Sequence, residues 1–160
     1  MQTIREQLFH RPLTLVLGGT GAAGHQVAQR LWDGGCPIRI GSRFADPPFD
    51  WKMRNTWRPA LRNVQAVYLG FHPFRGGLPA ERVLPDFIDL AIATGVSRIV
   101  LVSRPGELYA RRCERAIRQA GIDWTIIRVP ASRAAAGAAP PAAGIACLAV
   151  EALTRTGRSE

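Results

Sequence analysis

Gly18, Gly21 and Gly24 recur every third residue in Leu17-Gly-Gly-Thr-Gly-Ala-Ala-Gly24, directly after the apolar run Leu13-Thr-Leu-Val-Leu17. A glycine loop that leaves a strand and opens a helix can cradle a pyrophosphate. The first glycine allows the tight turn. The second removes a Cβ that would hold the backbone away from phosphate oxygens, and the third lets the helix pack closely on the sheet. The helix N-terminus then offers free N–H groups and the positive end of its dipole. Gly18, Thr20, Gly21, Ala22, Ala23 and Gly24 are therefore the expected phosphate-binding residues.

A dinucleotide-binding chain that reads a free 2′-hydroxyl places an acid about twenty residues further on. Here that place holds Gly41-Ser42-Arg43, with no carboxylate. Nothing then accepts a hydrogen bond from a 2′-hydroxyl, and nothing repels a 2′-phosphate. Ser42 can donate to such a phosphate, and the Arg43 guanidinium can pair with it and stack on adenine. These residues predict NADP(H) in preference to NAD(H).

The elements around these residues alternate. Leu13–Leu17 reads as a strand buried on both faces, and Ala23, Val27 and Leu31 mark a helix closed by Gly34-Gly35. Strands are expected at 37–41, 64–69, 99–102 and 124–129, with a short one at 49–51 at most. Helices are expected from Val83 to Ile92, where Pro85 blurs the start, and from Arg111 to Ala120. In the second of these, Cys113, Ala116, Ile117 and Ala120 share one face, and Glu107/Arg111 and Glu114/Arg118 form i,i+4 pairs on the other. Such alternation implies right-handed crossovers and a doubly wound parallel sheet, an α/β Rossmann fold. Residues 1–12 read as an N-terminal extension, 13–130 as the dinucleotide-binding domain, 131–144 as an Ala/Pro-rich linker, and 145–160 as a helix and tail.

Composition narrows the function classes. The 160 residues are 47% hydrophobic and 21% charged, suiting one globular domain. Net charge is +9, yet twenty of the twenty-one basic residues are arginine, scattered rather than blocked, so a nucleic-acid partner is not expected. Trp51 and Trp57 with Arg54 and Arg58 could stack on bases, but a roof over the sheet is the better reading. Cys36, Cys113 and Cys147 form no C-x-x-C and read as buried thiols; no metal site is indicated. His10, His25 and His72 are isolated. No apolar run approaches the length of a membrane span, and the mixed polar MQTIREQLFHRP has no apolar h-region, so no signal peptide and a soluble cytoplasmic protein are expected.

Taken in order, several blocks resemble the NmrA-like family of atypical short-chain dehydrogenases/reductases. They are Val16–Gly24, Ile40-Gly-Ser-Arg43, Phe49-Asp-Trp51, Leu61–Leu69, Ala91–Ser103, Glu114 and Ala120–Arg128. The resemblance implies a Rossmann fold binding NADP(H) across the strand C-termini. It also implies Asp50 near the adenine edge, Leu69, Gly70, Phe71 and His72 along the adenosine, and Ser103 toward the nicotinamide. Two departures qualify it. Typical short-chain reductases carry a Tyr with a Lys four residues on, but Tyr109 is followed by Cys113, and Lys52 is the only lysine. Ser103 and Tyr109 are thus weak catalytic candidates. Relatives also continue past the last strand with a substrate region that this sequence lacks for the most part, and Ile145–Thr154 resembles a later helix of the family.

Two functions follow as expectations. One is an NADPH-dependent oxidoreductase of a small carbonyl, quinone or enone. The other is a non-catalytic dinucleotide-binding redox sensor or accessory subunit. The sheet edge and helix stripe that a shortened C-terminus would leave wet suggest a homo-oligomer or another partner.

Overall fold

β1 (Leu13–Leu17) carries apolar side chains to both faces and is buried from Thr14 onward, as a central parallel strand must be. In the computed structural model, which describes residues 12–18, 21–70, 80–104, 110–129 and 142–155, it lies within a five-stranded sheet. The other strands are β2 (Ile38–Gly41), β3 (Val64–Leu69), β4 (Arg98–Ser103) and β5 (Asp123–Arg128). All pairings are parallel and the order is β2-β1-β3-β4-β5.

The helices are α1 (Ala22–Asp33), α2 (Trp57–Ala60) after a 3-10 turn at Arg54–Thr56, α3 (Ala80–Ala93), α4 (Ala110–Gln119) and α5 (Ala142–Thr154). α1 and α5 cover one face of the sheet. There Val27, Ala28 and Leu31 meet Ile145, Ala146, Ala149 and Leu153 over Val16, Tyr68, Val100 and Val102. α2, α3 and α4 cover the other, where Trp57, Leu84, Phe87, Ile88 and Ile117 pack on Leu15, Leu17, Val67, Ile99 and Leu101. The expected doubly wound sheet is observed.

Register sets what these layers present. Leu17 lies beside Gly41 and Leu69, Leu69 beside Leu101, and Ser103 beside Arg128. The strand C-termini therefore share one edge, with β4 and β5 running two residues past the ends of β1, β2 and β3. From β1 the chain winds outward to β2, then returns past β1 to β3, which opens a crevice between β1 and β3 at that edge.

Some elements differ from expectation. Residues 49–51 form no strand. Phe49, Trp51, Trp57 and Phe87 instead pack edge to face, with ring centroids 4.9–6.0 Å apart, and roof the sheet. α3 starts at Ala80, three residues before the expected Val83, and contains Pro85. α5 begins at Ala142, three residues into the expected linker, because alanines favour helix without marking a periodic stripe. Its apolar face is buried on α1, so the helix stripe expected to stay wet does not. Arg98 fastens this helix. Its Nε donates to Asp123 Oδ2 at 2.8 Å, and its Nη1 donates to the Leu153 and Arg155 carbonyls that end α5. Of the cysteines only Cys113 is buried; Cys36 is half-buried and Cys147 exposed.

Candidate functional site

The crevice begins at Gly18. Its φ of +88° lies in the left-handed region that favours glycine. A Cβ there would stand 3.2 Å from the Gly70 Cα, and one on Gly70 would stand 3.0 Å from the Leu17 carbonyl oxygen. The ends of β1 and β3 thus touch backbone to backbone, joined by the Gly70 N–H donating to the Leu17 carbonyl at 2.8 Å. Beneath them Tyr68 is fully buried, and burial pushes its phenol up to about 12, so the ring stays neutral. Gly21 caps α1 without a side-chain hydrogen bond, and no acid stands in the first turn. His25 N–H is the first to bond back, to the Gly21 carbonyl at 2.9 Å. The N–H groups of Ala22, Ala23 and Gly24 precede any intrahelical partner and lie at the positive end of the dipole.

Beside this, Ser42 and Arg43 leave β2. Ser42 Oγ accepts the Phe44 N–H at 3.1 Å, which leaves its proton available for an outside acceptor. The Ser42 carbonyl accepts the N–H of Ala45 and of Phe49, folding the loop back on itself, while Arg43 is exposed. Asp50 follows in a clamped backbone. Its N–H donates to Thr56 Oγ1 at 2.9 Å, and its carbonyl accepts Trp57 Nε1 at 3.0 Å. Its Oδ1 accepts the Lys52 N–H, again at 2.9 Å. Asp50 is half-buried, and the aromatic roof holds its backbone through Trp57.

The β4–β5 end is built differently. Glu114, expected on the solvent face of α4, is buried between α4 and the strand ends. Arg128 donates to it twice, Nε to Oε1 at 3.1 Å and Nη2 to Oε2 at 2.7 Å, and Arg118 reaches Oε2 at 3.3 Å. A periodicity argument pairs residues within one helix and could not see the partner on β5. Arg128 holds the Glu114 carboxyl below the usual carboxylate range against the opposing effect of burial, and Ser103 and Arg118 add to the lowering. Ser103 Oγ is buried on this carboxylate and completes no hydrogen bond among the described residues.

The fold brings Gly18, Gly21, Ala22, Ala23, Gly24, Ser42, Arg43, Leu69 and Gly70 to one edge, with Asp50 in the loop beyond β2. Thr20, Phe71, His72 and Tyr109 lie outside the described residues, as does most of the expected linker. Sequence reasoning missed Gly41, where a Cβ would meet Leu17 Cδ2 at 2.1 Å; its only signal was its place before Ser42. No group of three or more His, Cys, Asp or Glu that could hold a metal gathers among the described residues.

No family model matches the chain. It is 35% identical over 126 residues to an uncharacterised oxidoreductase, YesF, of Bacillus subtilis, covering 71% of this chain and 43% of that protein. Across the solved structures, it superposes on the NADP(H) complex of Citrobacter sp. triphenylmethane reductase with a TM-score of 0.67. That match has 16% identity and covers 92% of this chain and 67% of the other. These similarities agree with the resemblance of the sequence blocks to the NmrA-like, atypical short-chain dehydrogenase/reductase family. Another structural neighbour is the NADPH complex of the Escherichia coli quinone oxidoreductase QOR2, with a TM-score of 0.65 and 19% identity over 91% of this chain and 66% of that one. The chain spans less than half the length of the curated relatives it matches. No helix of the described residues is long and apolar enough to cross a membrane.

Proposed function

We propose that this NmrA-like chain binds NADP(H) in the β1–β3 crevice and serves NADPH-dependent reduction of a small carbonyl, quinone or enone. The observation that carries the reading is the close backbone approach of Gly18 and Gly70, which leaves no room for a Cβ, beside three N–H groups on α1 that lack intrahelical partners. These residues fit a pyrophosphate. Ser42 and Arg43 favour the 2′-phosphate over a free hydroxyl, since both can donate and no acid opposes them. Asp50 accepts from the adenine edge, its loop fixed by Thr56 and Trp57. The cofactor, when bound, supplies the hydride; the chain's part is to bind and orient it.

A second reading is a dinucleotide-binding module without turnover. It is favoured by the missing Tyr/Lys pair, since Tyr109 is followed four residues on by Cys113 and Lys52 is the only lysine. Calorimetry with NADPH, followed by NADPH absorbance with a panel of quinones, ketones and enones, separates the two. Binding with consumption supports the oxidoreductase, and binding without consumption supports the module. Absence of binding to either NADPH or NADH overturns both.

A further inference from the structure

A second charged feature lies away from the crevice, on the outer side of α4. Arg111, Arg115, Arg118, Gln119 and Arg128 line, with Glu114, an open cleft of about 500 Å³. Glu114 is the only acid among these residues, and its charge is already matched by the two hydrogen bonds from Arg128. Arg118 reaches the same carboxylate, and its guanidinium lies 5.7 Å over the Trp124 ring, which fixes it at the cleft wall. Arg111 and Arg115 are exposed, and neither has an ion pair among the described residues.

Spacing of four and then three residues puts Arg111, Arg115 and Arg118 on one helix face. They span about 10 Å along the axis. The first turn of α4 carries no acid, so Arg111 opposes the helix dipole, and Arg111 and Arg115 repel each other at i,i+4. An anion between the guanidiniums relieves the repulsion and offsets the unfavourable place of Arg111 on the dipole. By contrast, Arg39, Arg54 and Arg98 are engaged with carbonyls or carboxylates of the chain itself. The three arginines of α4 span one helix face and one cleft, which suits a small ligand better than a nucleic-acid duplex.

We propose that this cleft binds a small, multiply charged phosphorylated ligand through Arg111 and Arg115, with Arg118 as a fixed third donor. Guanidinium groups meet phosphoryl oxygens with paired, charge-assisted hydrogen bonds, and the cleft has the size of a small-ligand site. The proposal is independent of the dinucleotide reading.

Pyrophosphate is the probe, titrated by calorimetry into the full chain at constant ionic strength, with NADPH added to fill the crevice. The double substitution Arg111→Gln, Arg115→Gln should weaken binding about tenfold. Arg62→Gln, an exposed arginine elsewhere, should change it less than about twofold. Both substituted positions on α4 are exposed, and circular dichroism checks that the helix persists. The arginine dependence reads the cleft whether or not the crevice is filled. Three results overturn the proposal: binding that survives the double substitution, an equal loss with Arg62→Gln, or tighter binding of citrate or duplex DNA than of pyrophosphate.

Discussion

The two halves of the strand edge are finished in opposite ways. Across β2, β1 and β3 the polar groups face outward with capacity to spare: free N–H groups on α1, a Ser42 hydroxyl with its proton available, and an exposed Arg43. Across β4 and β5 the polar side chains are turned on one another. Glu114, Arg128 and Arg118 form a closed set, and Ser103 lies buried against it. A satisfied buried polar group is a structural joint, whereas surface donors without internal partners are what an incoming anion uses. The first half is therefore expected to govern dinucleotide binding, and the Glu114–Arg128 joint of the second to govern folding.

The largest effect that can break this division is at Gly18. Gly18→Val puts a β-branched side chain at a positive φ and a Cβ against the Gly70 backbone. It should cost about 1–3 kcal/mol of stability by denaturant titration and abolish dinucleotide binding. A variant that binds NADPH normally would show that the β1–β3 contact does not form the cradle.

Next comes Arg43→Glu, which leaves the fold alone because the side chain is exposed. NADPH affinity should fall at least about tenfold while NADH changes little, since only NADPH places a second charge beside position 43. Equal losses for both cofactors would remove the 2′-phosphate assignment.

The sheet and the glycine loop were legible in the sequence because their signals are local. Leu13–Leu17 is a continuous apolar run, and Gly18 stands where that run must turn. The site's second half was not legible, because its contacts cross between elements far apart in the chain. Glu114 and Arg128 are fourteen residues apart on a helix and a strand. Within the helix alone, Glu114 reads as the solvent partner of Arg118. The start of α5 was hidden for another reason: Ala142 and Ala143 have helix propensity but too little apolar bulk to reveal a buried stripe. Arginine-rich composition likewise concealed roles that only geometry separates, from the carbonyl anchor at Arg98 to the exposed Arg43.

Glu114→Gln tests the closed half. Its carboxyl is held below the usual carboxylate range, so its stabilising effect is complete above the ordinary value and is lost as pH falls through the lowered one. The variant should melt below the wild type at neutral pH, with the gap closing on acidification, and dinucleotide affinity should stay within about twofold. A gap that widens in acid would contradict the ionised pairing with Arg128. A large loss of affinity would place this cluster in the binding site after all.

The smallest and most specific effect is expected at Trp57, which belongs to the core and to the open half at once. Its ring packs on Trp51 and Phe87, while its Nε1 donates to the Asp50 carbonyl at 3.0 Å. Trp57→Phe keeps an aromatic ring in the roof but releases that carbonyl, loosening the loop that aims the Asp50 carboxylate. If Asp50 accepts from the adenine amino group, wild type should prefer NADPH over its hypoxanthine analogue, which lacks that donor. The variant should lose most of that preference, about threefold to tenfold, with its 2′-phosphate preference intact. A wild type indifferent to the base would remove Asp50 from the adenine edge without touching the glycine cradle. A variant as selective as wild type would show that Thr56 and the Lys52 N–H suffice to hold the loop.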